Sequence, residues 1–267
     1  MKVIVITGAS SGIGHRTALH LSSGDVQLVL AARRRPLLEE LQNEVVGRGG
    51  HAAIRVTDLR SRGEIESLIS NCRSDYGRID VLINNAGFGY FGTVEHTAPE
   101  LIDEMLAVNF VAPVIATQAV LPIMRAQRSG HIINVSSVAG KRGLPLSGIY
   151  SATKFALDGI SEALRVELRD SGIHVSVVYP VATDTPFFDS VQKADVDGGF
   201  KPVGYVQPVE HVADSIVRCI RKPRAQVYPY WPGRLLVWAN AFWPSLIDAA
   251  MLPYCRKRVN TSGPRQK

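Results

Sequence analysis

Tyr150 and Lys154 stand four residues apart, and Ser137 lies thirteen residues before the tyrosine. A phenol, an ammonium and a hydroxyl in that order are the parts needed to hand a proton to a carbonyl oxygen. A phenol with an ordinary pKa near 10 is a weak acid at neutral pH. Lowering that pKa by about 3 units takes roughly 4 kcal/mol of added phenolate stabilisation. One exposed cation supplies about 1 kcal/mol in bulk water and several times more at lower effective dielectric. Lys154 is therefore expected to act from a partly dry pocket. A spacing of four puts it one helical turn from Tyr150 on the same face. Ser137, at the carboxyl end of a predicted strand, can hydrogen-bond an oxygen on which charge develops.

The second constellation is Thr7-Gly8-Ala9-Ser10-Ser11-Gly12-Ile13-Gly14, where the first predicted strand turns into the first helix. Glycine suits a tight turn that brings backbone close to a pyrophosphate, and the helix amino terminus offers free N–H groups to that anion. The spacing is G-x-x-x-G-x-G rather than G-x-G-x-x-G. Gly8, Ser10, Ser11, Gly12, Ile13 and Gly14 are the expected phosphate-side contacts. The second strand ends Ala31-Ala32-Arg33-Arg34-Arg35 with no acid for an adenine ribose. An arginine there suits a 2′-phosphate, so the expected cofactor is NADP(H), with Arg33 the principal contact and Arg34 a second.

The elements that must position these groups alternate along the chain. Strands are predicted over Val3–Thr7, Gln27–Ala32, Ala52–Val56, Asp80–Asn84, His131–Val135 and His174–Tyr179. Helices are predicted over Ile13–Ser23, from Pro36, over Glu64–Tyr76, and over about Ala152–Arg169. Pro99–Arg125 reads as one long helical stretch that Pro113 and Pro122 should bend or break. Uninterrupted apolar strands between helices build a parallel sheet covered on both faces. The expected fold is α/β, a single Rossmann-like doubly wound parallel sheet in one domain over residues 1–267.

Taken together, these pieces resemble the short-chain dehydrogenase/reductase family over about Lys2 to Pro186. The matching motifs are Thr7–Gly14, Asp58, Asn84-Asn85-Ala86-Gly87, Asn109, Ile133-Asn134-Val135-Ser136-Ser137, and Tyr150-Ser151-Ala152-Thr153-Lys154. The resemblance implies a carbonyl–alcohol oxidoreductase in which Tyr150 is the acid/base and Lys154 lowers its pKa and holds the ribose. It implies that Ser137 orients the substrate and that Asn109 holds a water relaying protons to Lys154. It implies that Asp58 and Leu59 touch the adenine, that Asn85, Ala86 and Gly87 lie near the cofactor, and that Pro180, Thr183 and Thr185 contact it. Val181 stands where the family usually has glycine after that proline, and a β-branched side chain there is expected to change the pocket.

Composition narrows the classes. The chain has 267 residues, 46% apolar content and three cysteines with no close pair, so neither a zinc site nor a disulfide framework is expected. Before Gly8 there is too little chain for a secretory signal, and a cytoplasmic location, with association at a membrane surface as an option, is expected. Of the net charge of +6, residues 233–267 carry six positive side chains against one negative, leaving about +1 elsewhere. No aromatic–basic surface suggests nucleic acid. Residues 187–206 are expected to form a substrate lid. Residues 233–267, apolar and then basic, read as an interfacial segment, a pocket wall or a subunit contact in a homodimer or homotetramer. A hydrophobic substrate, lipid-like or steroid-like, suits all three. The competing class is a sensor or scaffold that binds NADP(H) without turnover.

Overall fold

Alternate residues of the first strand belong to two different cores. In the structure, a computed structural model that describes residues 1–22, 24–187, 192–193 and 204–259, Val3 and Val5 face one hydrophobic cluster and Ile4 and Ile6 the other. That is the two-residue period of a strand buried on both sides.

The chain runs β1 (Lys2–Thr7), α1 (Gly12–Leu21), β2 (Val26–Ala32), α2 (Arg35–Gly47), β3 (His51–Val56), α3 (Arg62–Tyr76) and β4 (Val81–Asn84). It continues through β5 (Tyr90–Phe91), α4 (Pro99–Leu106), α5 (Ala112–Gln127), β6 (Gly130–Val135), α6 (Gly148–Glu167) and β7 (Ile173–Val178). Last come β8 (Gln192–Lys193), α7 (Val209–Arg221), β9 (Gln226–Val227), α8 (Pro232–Phe242) and α9 (Pro244–Val259). The main sheet has the order β3-β2-β1-β4-β6-β7-β9 and every neighbouring pair is parallel. Helices α1, α2 and α7 cover one face, contributing Leu19, Leu38, Leu41, Val212 and Ile216. Helices α3, α5 and α6 cover the other, contributing Leu68, Ile115, Val120 and Leu164. The fold is the doubly wound α/β sheet expected.

The middle of the chain differs from expectation in two places. The long stretch from Pro99 is interrupted by a π-helical turn, Ala107–Val111, and α5 then runs on through Pro122 to Gln127. Pro113 falls where that turn passes into α5, and Pro122 lies inside α5 without breaking it. The apolar composition of 99–127 would suffice to cross a membrane, but Ile115, Ala116, Val120, Ile123 and Met124 are packed in the core. Helix α6 begins at Gly148, earlier than Ala152, so Tyr150 lies in its first turn. Helix α7 and strand β9 are not among the predicted elements, although Val212, Ile216 and Cys219 of α7 fall at helical spacing. Most of the expected lid, 187–206, lies outside the described residues; within it, Gln192–Lys193 pairs in parallel with Tyr90–Phe91. The end of the expected extension, 260–267, also lies outside them.

Helix α3 shows how local chemistry sets a boundary near the site. Ser61 caps its start by accepting from the Glu64 backbone N–H, and the Glu64 carboxylate reaches back to the Asp58 backbone N–H at 2.7 Å. Gly77, at φ +73°, ends the helix in the left-handed conformation that glycine adopts without strain.

His131 in β6 is 4% exposed, with Nε2 2.8 Å from Ser176 Oγ. Burial, and secondarily the neighbouring His174, pushes its pKa down to about 4. An unfolded histidine takes its proton near pH 6.5 and the folded one only near 4, so stability falls as pH drops through that window, by about 3 kcal/mol. Urea unfolding at pH 7 and pH 4.5 should show a smaller acid loss in His131→Gln than in wild type. Equal losses would contradict this.

Candidate active site

The site begins where the winding of the sheet reverses. β1 lies between β2 and β4, so the chain builds outward to β3 on one side and to β9 on the other. The crevice beyond the carboxyl ends of the strands at such a point is where α/β sheets bind ligands.

Gly8 leaves β1 at φ +65°, and a Cβ on it would lie 2.7 Å from the Ala86 Cα. Only glycine permits this approach to the end of β4. Asn85 locks the two segments together: its amide donates to Thr7 O at 2.9 Å and Gly8 O at 3.2 Å. Thr7 Oγ1 accepts from the backbone N–H groups of Asn85 and Ala86. Gly14 lets α1 seat against this turn, since a Cβ there would be 2.6 Å from Gly8 O. Ser11, at the N-cap of α1, makes no side-chain capping bond. The first-turn N–H groups thus keep their donor capacity for an anion.

Arg34 spans the glycine turn. Its guanidinium donates to Ser10 Oγ at 2.9 Å and Ser11 Oγ at 2.7 Å. Arg33 is exposed at the same rim. Asp58 also reaches the crevice, but its carboxylate accepts from the Arg60 side chain at 2.5 Å, which holds its pKa below the usual carboxylate value. That pairing accounts for a turn role at Asp58; Leu59 beside it lines the wall.

The proton-handling groups converge from β6 and α6. Ser137 ends the β6 segment and caps a short 3-10 turn, accepting from Ala139 N at 3.1 Å and donating to Pro180 O at 3.4 Å. Tyr150 and Lys154 are one turn apart on α6, with Lys154 Nζ 5.7 Å from the phenol ring centroid. Lys154 is 4% exposed and donates to Val135 O at 3.0 Å. A buried polar chain supports this corner: Asn84 donates to Asn134, Asn134 to Ser161, and Ser161 to Leu157 O. It ties β4, β6 and α6 together beneath the site.

Burial dominates the electrostatics. It raises the Tyr150 pKa to about 12, with the Ser137 hydroxyl offsetting part of that rise. It lowers the Lys154 pKa to about 8, partly offset by the carboxylate of Asp158 one turn further along α6. The expected lowering of the phenol pKa is thus not a property of the ligand-free cavity. Asp158 is itself raised to about 6 by burial, with Lys141 Nζ 3.2 Å away opposing the shift.

Asn109 sits in the π-helical turn, fully buried, with its amide already engaged. It accepts from Phe88 N at 3.0 Å and donates to Phe88 O at 2.9 Å and Thr153 Oγ1 at 3.1 Å. A Cβ on Gly87 would lie 3.0 Å from Asn109 Oδ1 and 3.4 Å from Lys154 Nζ, so the amide lies behind the wall beside the ammonium.

One cavity of about 870 Å³ connects all of this, from Gly8 past Tyr150 to α8 and α9. Among the expected site residues, Gly14 and Asn109 lie outside its wall and the others line it. Thr183 is held by Gln207, Thr185 packs on Gly12, and Val181, which lines the cavity, packs against Gly233 of α8. The far wall includes Tyr205, Tyr230, Leu236, Met251 and Tyr254, which come from distant segments. Their only signal in the sequence is the apolar character of the carboxyl-terminal run. The open α1 terminus and the glycine cradle fit a dinucleotide.

Comparison with known proteins agrees with this geometry. The family model for short chain dehydrogenase matches residues 2–195. An uncharacterised oxidoreductase of Staphylococcus saprophyticus is 40% identical over 230 residues, covering 83% of this chain and 91% of that protein. A 3-ketodihydrosphingosine reductase of Bacteroides thetaiotaomicron is 38% identical over 221 residues, covering 82% and 75%. A short-chain dehydrogenase from Sphingobium yanoikuyae, solved with NADPH, has a TM-score of 0.79 at 27% identity and covers 100% of this chain and 98% of its own. A short chain dehydrogenase/reductase from Burkholderia phymatum, solved with NAD, has a TM-score of 0.82 at 25% identity, with coverage of 92% and 94%. A nicotinamide dinucleotide is the cofactor class these structures share.

Gly8→Ala should cost about 1–3 kcal/mol, because the new methyl meets backbone at a positive φ. Thermal unfolding tests this, and an unchanged midpoint would contradict the cradle.

Proposed function

The chain belongs to the short chain dehydrogenase family of oxidoreductases, and we propose that it reduces a hydrophobic ketone or aldehyde with NADPH. The observation that carries this reading is the convergence of Ser137, Tyr150 and Lys154 on the cavity that the glycine turn opens. The site residues hold the parts as follows. The first turn of α1 and the Gly8–Gly14 segment receive the pyrophosphate, Arg33 and Arg34 the 2′-phosphate, and Lys154 the ribose. Asp58, Leu59, Asn85, Ala86, Gly87, Pro180, Thr183 and Thr185 complete the contacts. When bound, the reduced cofactor supplies a hydride.

Ser137 Oγ and the Tyr150 hydroxyl hold the substrate oxygen, and charge developing there draws the phenol proton across. A phenol with a pKa near 12 is fully protonated at neutral pH, the state a carbonyl reductase needs before its proton transfer. The Lys154 ammonium beneath it stabilises the phenolate that results, and its burial, at 4% exposure, weakens solvent screening of the pair. Asn109 fixes Phe88 and Thr153 around that ammonium, and a water-mediated relay from Lys154 belongs to the same reading.

NADP(H) rather than NAD(H) is supported by Arg33, Arg34 and the absence of an acid at the end of β2. The apolar far wall supports a lipid-like or steroid-like substrate of cytoplasmic or membrane-surface origin. A homodimer or homotetramer, and a peripheral lipid contact of the carboxyl-terminal helices, complete the proposal.

Tyr150→Phe should lower NADPH consumption about 10²–10⁴-fold while NADPH still binds. Unchanged turnover would sink the role of the phenol. Arg33→Asp should weaken NADPH far more than NADH in fluorescence titrations; equal loss would remove the phosphate assignment. Because the folded Lys154 pKa lies near 8, its cation is lost as pH rises through that value. The reductive kcat/KM should therefore fall on the alkaline side from about pH 8, and a profile flat to pH 10 would contradict the need for that charge.

A further inference from the structure

Helices α8 and α9 are apolar on two faces, and only one of them is covered by the protein. Pro232, Gly233 and Leu236 of α8 and Met251 and Tyr254 of α9 face the cavity. On the opposite side of α8, Trp231, Leu235, Trp238 and Phe242 follow the 3.6-residue helical period, and all are exposed, Phe242 by 74%. Trp243 and Leu246 extend this surface around the 115° bend between the two helices.

The polar groups that interrupt the apolar run are held by the body of the protein. Arg142 donates to Asn240 Oδ1 at 3.0 Å and Asp248 Oδ1 at 2.5 Å, and it packs on Met251. Asp248 is the only acid from Trp231 to Val259, and it is matched by that arginine. The rest of the surface is apolar, aromatic or basic, with Arg256 and Lys257 exposed on the last turns of α9. Aromatic side chains beside arginine and lysine, with no free acid, match the charge and polarity of an anionic lipid headgroup layer. The bend prevents the pair from forming one straight span, and a surface of this shape lies in the interface plane.

We propose that the outer face of α8 and α9 docks on an anionic lipid bilayer. The cavity then lies one helix thickness, about 10 Å, from the membrane. A carbonyl compound dissolved in that membrane is the substrate class this arrangement would receive; that step rests on the reductase reading, whereas the docking does not.

All three tryptophans of the chain lie on this surface, so their fluorescence reports on it directly. The full chain should float with vesicles of phosphatidylcholine containing phosphatidylserine, with a blue-shifted tryptophan emission, and should bind far less to phosphatidylcholine alone. The double variant Phe242→Ser, Leu246→Ser should weaken vesicle binding about tenfold or more. Its NADPH oxidation with a water-soluble ketone, without vesicles, should match wild type, which keeps a failure of docking distinct from a failure of the reaction. Protein that stays unbound with anionic vesicles would overturn the proposal. So would a dimer, seen by sedimentation velocity, that buries this face and is lost in the double variant.

Discussion

A lysine ammonium held out of water is the constraint on which the rest of the site depends. Lys154 is 4% exposed, with one hydrogen bond to the Val135 carbonyl at the end of β6. Bringing its pKa from 10.5 to about 8 corresponds to roughly 3 kcal/mol of unfavourable burial of the charge. That figure is what remains after Asp158 has offset part of the burial, and the core, including the buried Asn84–Asn134–Ser161 chain that fixes α6 on the sheet, must bear the rest. A cation in such a place acts on Tyr150 at a low effective dielectric, which no surface lysine could do.

The same burial raises the phenol, and the two shifts belong to one physical cause. At neutral pH Tyr150 keeps its proton and Lys154 still carries its charge, which it loses only as pH rises through about 8. The pair is therefore set to respond to charge that arrives in the cavity. Ser137 is the group that brings the substrate oxygen into that pair, and the backbone carbonyl of Pro180 and the Ala139 N–H hold its hydroxyl in place. At the other end of the cavity, Asn85 latches β4 to the glycine turn, so both halves of the site hang on the carboxyl ends of β1, β4 and β6.

Much of this was legible in the residues. The β-branched runs, the glycine spacing and the Tyr150–Lys154 interval depend on local rules, and they placed the sheet and most of the cavity wall. Where expectation and structure part, tertiary context decided. Helix α6 starts at Gly148, ahead of the apolar pattern that marks it, with the Ser151 N–H bonded to the Ser147 carbonyl. Pro122 stays inside α5 because packing against the sheet outweighs one missing hydrogen bond. Asn109 lies in a π-helical turn that periodicity does not encode, buried beside Lys154. The far wall was legible in part, since a pocket wall was one reading of residues 233–267, but which side chains meet there depends on the docking of α8 and α9. Val181 turned toward Gly233, a contact between segments that no spacing rule anticipates.

The most direct test of the central claim is to follow the hydride itself. Wild-type protein would be incubated with NADPH carrying deuterium at the reactive carbon of the nicotinamide, and with a long-chain aliphatic ketone. Mass spectrometry of the alcohol then reads where the label goes. Transfer from one face of the ring, with a single deuterium on the carbinol carbon, is expected of Ser137, Tyr150 and Lys154 acting together. Bound NADPH with no label in any alcohol, across ketones of graded size, would contradict it and leave a cofactor-binding protein without turnover.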